Sequence, residues 1–228
     1  KIENDIKLDF DDVLIKPKRS TLKSRKDVDL TRTYTFKNSG KSWVGTPIMA
    51  ANMDTTGTFE MSDKFLEYEM PVCIQKFYSL QDWKQFLNSH SEHRTRLFTI
   101  PSIGANDNDL ENYLKLNSIF PYSDFVCIDV ANGYGEYFVE FVEKFRSRFP
   151  DKTIIAGNVV SYEMTEQLIL SGADVVKCGI GPGCFIPGTK VKTEDGLINI
   201  EDVKVGDKVI THKGNIKSVI NTFKYKEE

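Results

Sequence analysis

Gly179-Ile180-Gly181-Pro182-Gly183-Cys184-Phe185-Ile186-Pro187-Gly188-Thr189 separates two different kinds of sequence. Before it, apolar runs of strand length alternate with segments of helical spacing. After it come short β-branched runs punctuated by turn residues. What the chain can fold into, and what it can do, depends on how that junction is read.

Upstream, strand-length apolar runs fall at residues 47–51, 71–74, 97–100, 125–130, 153–156 and 174–178. Helical spacing occupies 58–68, 80–87, 109–119, 137–149 and 162–170. The 137–149 segment is clearest, with Phe138, Phe141, Val142 and Phe145 on one face. Strands alternating with helices imply a parallel sheet with right-handed crossovers. The strands are apolar throughout, as expected when both faces of a sheet are covered. Six such strands could complete a doubly wound sheet. They fall short of an eight-stranded barrel, which typically needs about 250 residues. Residues 1–183 are therefore a complete open sheet or an unfinished barrel.

Downstream, strands are expected at 190–193, 197–200, 208–211 and 218–223. Turns at Glu194-Asp195-Gly196, Val205-Gly206-Asp207 and Lys213-Gly214-Asn215 separate them. This all-β piece, 45 residues long (228 minus 183), is too short to build a substantial core alone.

The bulk properties exclude several classes. The 228 residues are 40% apolar and 28% charged with a formal net charge of −3, an ordinary globular composition. No apolar run approaches the roughly 20 residues that span a bilayer. The opening Lys1-Ile2-Glu3-Asn4-Asp5 lacks a signal-peptide core. A cytoplasmic protein without membrane or nucleic-acid partners is expected. The basic stretch at 16–26 is a solvated surface or, alternatively, a contact for a phosphate-bearing ligand. Cys73, Cys127 and Cys178 lie in apolar runs and are expected as buried, reduced thiols. No cysteine pair has zinc-ligand spacing. His90 and His93 are expected at the surface. Cys184 stands apart, following glycines and a proline.

In parallel α/β folds, function gathers at the carboxyl ends of the strands. Polar clusters recur there: Asn52-Met53-Asp54, Gln75-Lys76, Asp129 with Asn132-Gly133, Gly157-Asn158, and the 179–183 turn. Five on one edge point to a shared ligand pocket. The glycine turn lacks the full Gly-x-Gly-x-x-Gly spacing of a dinucleotide fingerprint. Its glycines permit close backbone approach to a ligand or ion.

Several of these stretches resemble GMP reductase, of the IMP dehydrogenase/GMP reductase family. They are Leu8-Asp9-Phe10-Asp11-Asp12-Val13-Leu14-Ile15-Lys16-Pro17-Lys18-Arg19-Ser20, Ala51-Asn52-Met53-Asp54-Thr55, Asp129-Val130-Ala131-Asn132-Gly133-Tyr134, Ala156-Gly157-Asn158-Val159-Val160 and Gly179-Ile180-Gly181-Pro182-Gly183. IMP dehydrogenases share the last turn but differ in the Asp-Val-Ala-Asn-Gly segment. Many also insert a domain where Gln75-Lys76-Phe77-Tyr78 here runs straight on. An IMP dehydrogenase-type fragment is the alternative. The resemblance implies a (β/α)8 TIM barrel, here incomplete, and NADPH-dependent deamination of GMP to IMP and ammonia through a cysteine that attacks the purine. It implies that Ser24 and Arg25 contact the cofactor across a subunit boundary and that Lys76, Asp129, Val130 and Ala131 line the nicotinamide side, with Lys76 and Asp129 serving catalysis. Ile180 and Gly181 would also touch cofactor, and the carbonyls of Gly181 and Gly183 would hold a potassium ion. A homotetramer is the implied assembly. Gln75 departs from the family, which has His there.

The family's Gly-Pro-Gly continues as Ser-Val-Cys-Thr-Thr-Arg, whereas here it continues as Cys184-Phe185-Ile186-Pro187. Residues 184–214 instead resemble the N-terminal splicing block of an intein. The resemblance rests on Cys184-Phe185-Ile186-Pro187-Gly188-Thr189, Thr193-Glu194-Asp195-Gly196, Ile200-Glu201-Asp202-Val203 and Val205-Gly206-Asp207-Lys208-Val209. It implies a β-rich Hint fold in which Cys184 Sγ attacks the Gly183 carbonyl to form a thioester. No Thr-x-x-His block and no terminal His-Asn pair follow; Thr211-His212 lacks the spacing. The expectation is therefore a partial barrel over 1–183 and an intein N-fragment over 184–228. The fragment is half of a split intein with a complementary chain as partner, or part of a longer sequence. Reductase activity is expected only after splicing. In a second reading, the barrel half is cargo for a splicing partner.

Overall fold

The computed structural model describes residues 13–179, 190–194, 196–210, 215–219 and 222. A 3-10 turn at Arg25–Asp27 precedes an antiparallel hairpin of β1 (Arg32–Thr35) and β2 (Ser42–Gly45). Then follow α1 (Phe59–Glu67), β3 (Val72–Ile74), α2 (Leu80–Asn88), α3 (Glu92–Phe98), β4 (Thr99–Ile103), α4 (Asp107–Ile119) and β5 (Phe125–Asp129). The series continues with α5 (Glu136–Arg148), β6 (Thr153–Val159), α6 (Tyr162–Leu170) and β7 (Val175–Cys178). The tail supplies β8 (Lys190–Thr193), β9 (Gly196–Asn199), β10 (Lys208–Ile210) and β11 (Ile216–Ser218).

Strand order decides between the two architectures left open by the sequence. β3 to β7 form one parallel sheet in strict chain order, and Ala50 adds a parallel bridge to Val72 ahead of β3. A doubly wound sheet reverses its order at a switch point; this sheet does not. It is the beginning of a barrel, a parallel half-barrel with its crossover helices. The six expected strands correspond to the Ala50 bridge and β3–β7.

The helices begin where side chains can cap them. Ser79 and Asp82 exchange capping hydrogen bonds at α2, and Asn106 and Asp109 do so at α4. The Asn106 cap starts α4 two residues before the expected 109. The 7-residue α3 was not expected, because its sequence is mostly polar. Its buried Thr95 turns its hydroxyl back onto the carbonyls of Ser91 and Glu92. The β1–β2 hairpin was also missed in a stretch that reads as mixed and charged.

Register sorts the core. Val126, Ile128, Ile154 and Ala156 face α4 and α5, packing on Tyr113, Phe138, Val142 and Phe145. The alternate residues, Cys73, Ile100, Cys127 and Ile155, face inward with the hairpin's Trp43. Phe36 meets Phe125 edge-on at 5.7 Å. The hairpin thus covers the apolar end of the half-barrel at the strands' amino termini.

Two buried carboxylates lock that end. Asp174, whose side chain has no exposure, accepts from the amides of Asn38, Ser39 and Ile154 and from Arg146 Nη2 at 2.6 Å. Asp124 pairs with Lys41 and with Arg96 Nε, the latter at 2.6 Å. The bond to Asp124 raises the Arg96 pKa. Asp174→Ala would strand the Arg146 guanidinium and three amides, at a cost of about 3–5 kcal/mol. Urea unfolding of the variant should show a free energy of unfolding lower by that amount, with the slope unchanged.

The tail has the other grammar. β8–β11 form one antiparallel sheet in the order β11-β10-β8-β9. Gly196 and Gly206 turn it at φ +126° and +99°, values that favour glycine. Asp207 caps its own turn by accepting from Lys204 N at 2.8 Å. Among the described tail residues only Thr193 is buried, in line with a piece too short for its own core. No helix among the described residues is long and apolar enough to cross a membrane.

Candidate functional site at the strand carboxyl ends

Asp129 ends β5, Gly157 lies opposite it on β6, and Lys177 lies opposite Gly157 on β7. The three form one row on the inner face. Gly157 has no side chain, so Lys177 reaches across it to pair with the Asp129 carboxylate. A Cβ on Gly157 would come within 2.6 Å of both the Cβ and the carbonyl oxygen of Lys177. Lys177 Nζ also donates to Asn52 Oδ1 at 2.8 Å, joining the loop after the first strand to the far strand. Burial works against the ammonium. The neighbouring Cys127 and Asp129 outweigh it, and the Lys177 pKa is raised.

One layer deeper lie Cys73 and Cys127, both fully buried. The Cys73 thiol donates to Met49 Sδ at 3.3 Å, and its neighbour Cys127 together with burial pushes its pKa up. Cys127 is pushed down by the neighbouring Cys73, with the Lys177 ammonium adding to the shift. Cys178 corrects the expectation of a third buried thiol: it is exposed. It ends β7, the last strand of the sheet among the described residues, where the Thr165 hydroxyl lies 3.4 Å from its Sγ.

Around this row the backbone is tightly paired. Val130 N donates to Gly157 O, and Asn158 N to Val130 O, at 2.8 and 2.9 Å. Val130 therefore offers only its side-chain surface to a ligand, whereas Ala131 is exposed. Gly133 N donates to Asn158 O at 2.9 Å. The Asn158 amide oxygen is buried without a hydrogen-bond partner, an acceptor left open beside the site. Lys76 is exposed, 5.8 Å from the Phe77 ring centroid, and lines a cleft of about 260 Å³ between α2 and α4.

The structure thus brings Asn52, Asp129, Gly157 and Lys177 together. Ser24 and Arg25 do not join them: Ser24 caps its own 3-10 turn by accepting from Lys26 N, and Arg25 is exposed. Ile180, Gly181, Gly183 and Cys184 lie outside the described residues. His90 is engaged by Asp63 at 2.8 Å and stacks on Phe86, and no cluster suited to a metal occurs among the described residues. Lys177 was missed from the sequence because its run, Val175-Val176-Lys177-Cys178, reads as strand core. A charge inside an apolar strand was the available signal.

Residues 7–219 match the model of the IMP dehydrogenase / GMP reductase domain. The chain belongs to that family. GMP reductases from Citrobacter koseri and Salmonella typhi are 54% and 53% identical over 203 residues, which is 89% of this chain and 58% of theirs. The chain therefore spans under three fifths of the curated relatives it matches. The solved inosine 5′-monophosphate dehydrogenase of Legionella pneumophila superposes with a TM-score of 0.62 at 28% identity, covering 76% of this chain and 51% of that one. In family terms the Asp129–Lys177 pair lies at the barrel mouth, where such folds place their chemistry.

Two outcomes test this geometry. Gly157→Ala should cost about 1–3 kcal/mol, because the added methyl meets the Cβ, carbonyl oxygen and Cα of Lys177, all fixed to the β7 backbone; equilibrium unfolding measures it. In a Cys184→Ala background, Ellman's reagent should titrate one thiol in the native chain, Cys178, and all three after denaturation.

Proposed function

We propose that this chain is the N-terminal part of an NADPH-dependent GMP reductase, interrupted after Gly183 by the N-terminal fragment of an intein. The observation that carries the first half is the 53–54% identity to GMP reductases, spanning the strand ends that form the Asp129–Lys177 row. The IMP dehydrogenase alternative has less support: the relative of that name is 28% identical.

The groups at the mouth suit a nucleotide cofactor. Lys76 offers an exposed ammonium, Asn158 an unpartnered amide oxygen, and Asp129 a carboxylate fixed by Lys177. NADPH bound there would supply hydride to the purine. Lys76, Asp129, Val130 and Ala131 would orient the nicotinamide, with Ser24, Arg25, Ile180 and Gly181 as further contacts. A potassium ion on the Gly181 and Gly183 carbonyls, cytoplasmic location and tetramer assembly belong to this proposal through the family resemblance. GMP and IMP are its substrate and product.

For the tail, support comes from the motif beginning at Cys184 and from the change of sheet. Parallel strands in chain order give way after residue 179 to an antiparallel four-stranded sheet. The family match runs on to residue 219 and so draws no boundary at 183. In this reading Cys184 Sγ attacks the Gly183 carbonyl. The C–N bond breaks, a thioester forms, and the released amine of Cys184 takes the proton. A second nucleophile, on a complementary chain, then receives the acyl group. With Cys184-Phe185-Ile186-Pro187 where the family has its cysteine, the unspliced chain lacks reductase activity.

The purified chain should oxidise no NADPH above background in the presence of GMP. Mixed with a chain carrying the C-terminal intein and reductase segments, it should be ligated at Gly183 and lose residues 184–228, seen by intact mass. Cys184→Ala should abolish the ligated product. Turnover by the unspliced chain, or ligation by the Cys184→Ala variant, would refute this assignment.

A further inference from the structure

We propose that the cleft between α2 and α4 is a binding site for a planar aromatic anion of one or two rings, separate from the strand-end row of Asp129, Gly157 and Lys177.

The cleft opens where β3 and β4 part. Their ladder stops at the pair Ile74–Pro101. Beyond it the chain leaves β3 for α2, while β4 runs on to Ile103. The space between, about 260 Å³, is walled by Leu80 and Trp83 of α2 and by Tyr113 and Leu116 of α4, with Ser102 at the end of β4. That is just under the roughly 300 Å³ at which pockets for drug-sized ligands begin, so one or two fused rings fit.

Two hydroxyls in this lining are unused. Tyr113 is 2% exposed and Ser102 6%, and neither side-chain oxygen has a hydrogen-bond partner. The neighbour of Ser102 across the ladder is Cys127, whose thiol is a weak partner at best. A buried hydroxyl without a partner is costly, and a bound polar group relieves that cost. Tyr113 cannot swing away to find water. Its ring is held edge-on by Phe145 and Phe149, at 5.0 and 5.2 Å. Burial raises its pKa, so the hydroxyl stays neutral and able to donate. One water, at about 30 Å³, could serve one of these groups but would not fill a cleft with aromatic and aliphatic walls.

The lining sets the chemistry of the occupant. Trp83, Leu80 and Leu116 suit a flat apolar body, and the hydroxyls suit a polar edge on it. The rim carries two exposed ammonium groups, Lys76 and Lys115, against one carboxylate. That carboxylate, Asp109, already accepts from the Asn106 amide at 3.3 Å in the α4 cap. The excess positive charge selects an acidic substituent directed to solvent. Lys76 also belongs to the cofactor mouth described above; Lys115, on α4, belongs to the cleft alone.

The test titrates 2-naphthoate, and 2-naphthamide as its neutral partner, calorimetrically into the full chain. One molecule per chain should bind, with a Kd below about 1 mM for the carboxylate. Tyr113→Phe should weaken binding about 5–10-fold. It should leave the thermal midpoint of the free chain unchanged or raised, because the hydroxyl removed has no partner to lose. Leu80→Trp, which fills the cleft from its wall, should abolish binding of both probes. Lys115→Gln should weaken naphthoate about threefold and leave naphthamide unchanged. Absence of binding, binding that survives Leu80→Trp, an affinity indifferent to Tyr113→Phe, or a midpoint lowered by it would each overturn the proposal. Equal weakening of both probes by Lys115→Gln would remove the anion from it. Displacement of naphthoate by NADPH would assign the cleft to the cofactor and overturn the separate site, leaving the reductase reading intact.

Discussion

The carboxylate of Asp174 ties together four parts of the chain that are remote in sequence. One oxygen accepts from the amides of Asn38 and Ser39 in the hairpin connection. The other accepts from Ile154 at the start of β6 and from Arg146 at the end of α5. Arg146 in turn donates to the carbonyls of Gly172, Pro150 and Lys152. A fully desolvated charge is tolerable only when each lone pair is used. Here that requirement fixes the hairpin, α5, β6 and β7 relative to one another. Asp124 does similar work two strands away, with Lys41 and Arg96. Both anchors sit at the amino ends of the strands, and both draw a partner from the N-terminal hairpin or its connection.

The carboxyl ends obey a different economy. There the inner row consists of Asp129, Gly157 and Lys177, partly open to solvent. A glycine between two charged residues lets their side chains meet across an intervening strand, which neither alanine nor a larger residue would permit. The same ammonium lies close enough to Cys127 to bias the ionisation of the buried thiol pair below. One lysine thus couples three strands and two chemical layers. Rigid anchoring at one end and an open polar row at the other is the division of labour that parallel barrels use generally.

The alternation of apolar runs and helical segments made the half-barrel legible, because strands covered on both faces are predominantly apolar and their few polar residues lie mostly at the ends. Position along the sequence also pointed to Asn52, Lys76, Asp129 and Asn158 as strand-end residues. Pairing was not legible. That Lys177 crosses to Asp129 depends on register between strands and on the gap at Gly157, neither of which a local pattern encodes. The β1–β2 hairpin stayed hidden because Trp43 alone among its residues is deeply buried with a large side chain, so its alternation is weak. Cys178 misled for the opposite reason: its run is apolar, yet β7 is the edge strand among the described residues and no described strand covers its far side. Ser24 and Arg25, suggested by resemblance as contacts across a subunit boundary, sit in a segment exposed throughout residues 13–35, and among the described residues they stay apart from this chain's own mouth.

The two sheets share a physical predicament that does not depend on what the tail is named. The parallel sheet stops at β7 with half-buried valines. The antiparallel one ends at β9 and β11, and buries a single described residue, Thr193. An edge strand is a row of unspent hydrogen-bonding groups, and a sheet without a core has little apolar burial to offset its ordering entropy. Each unit therefore gains most from added strands: the first from neighbours that continue a parallel order, the second from strands that cover its exposed face. Those demands differ in strand direction and in the side chains they present. One strand cannot meet both demands, because the edge at β7 takes a parallel neighbour whereas β8–β11 pair antiparallel.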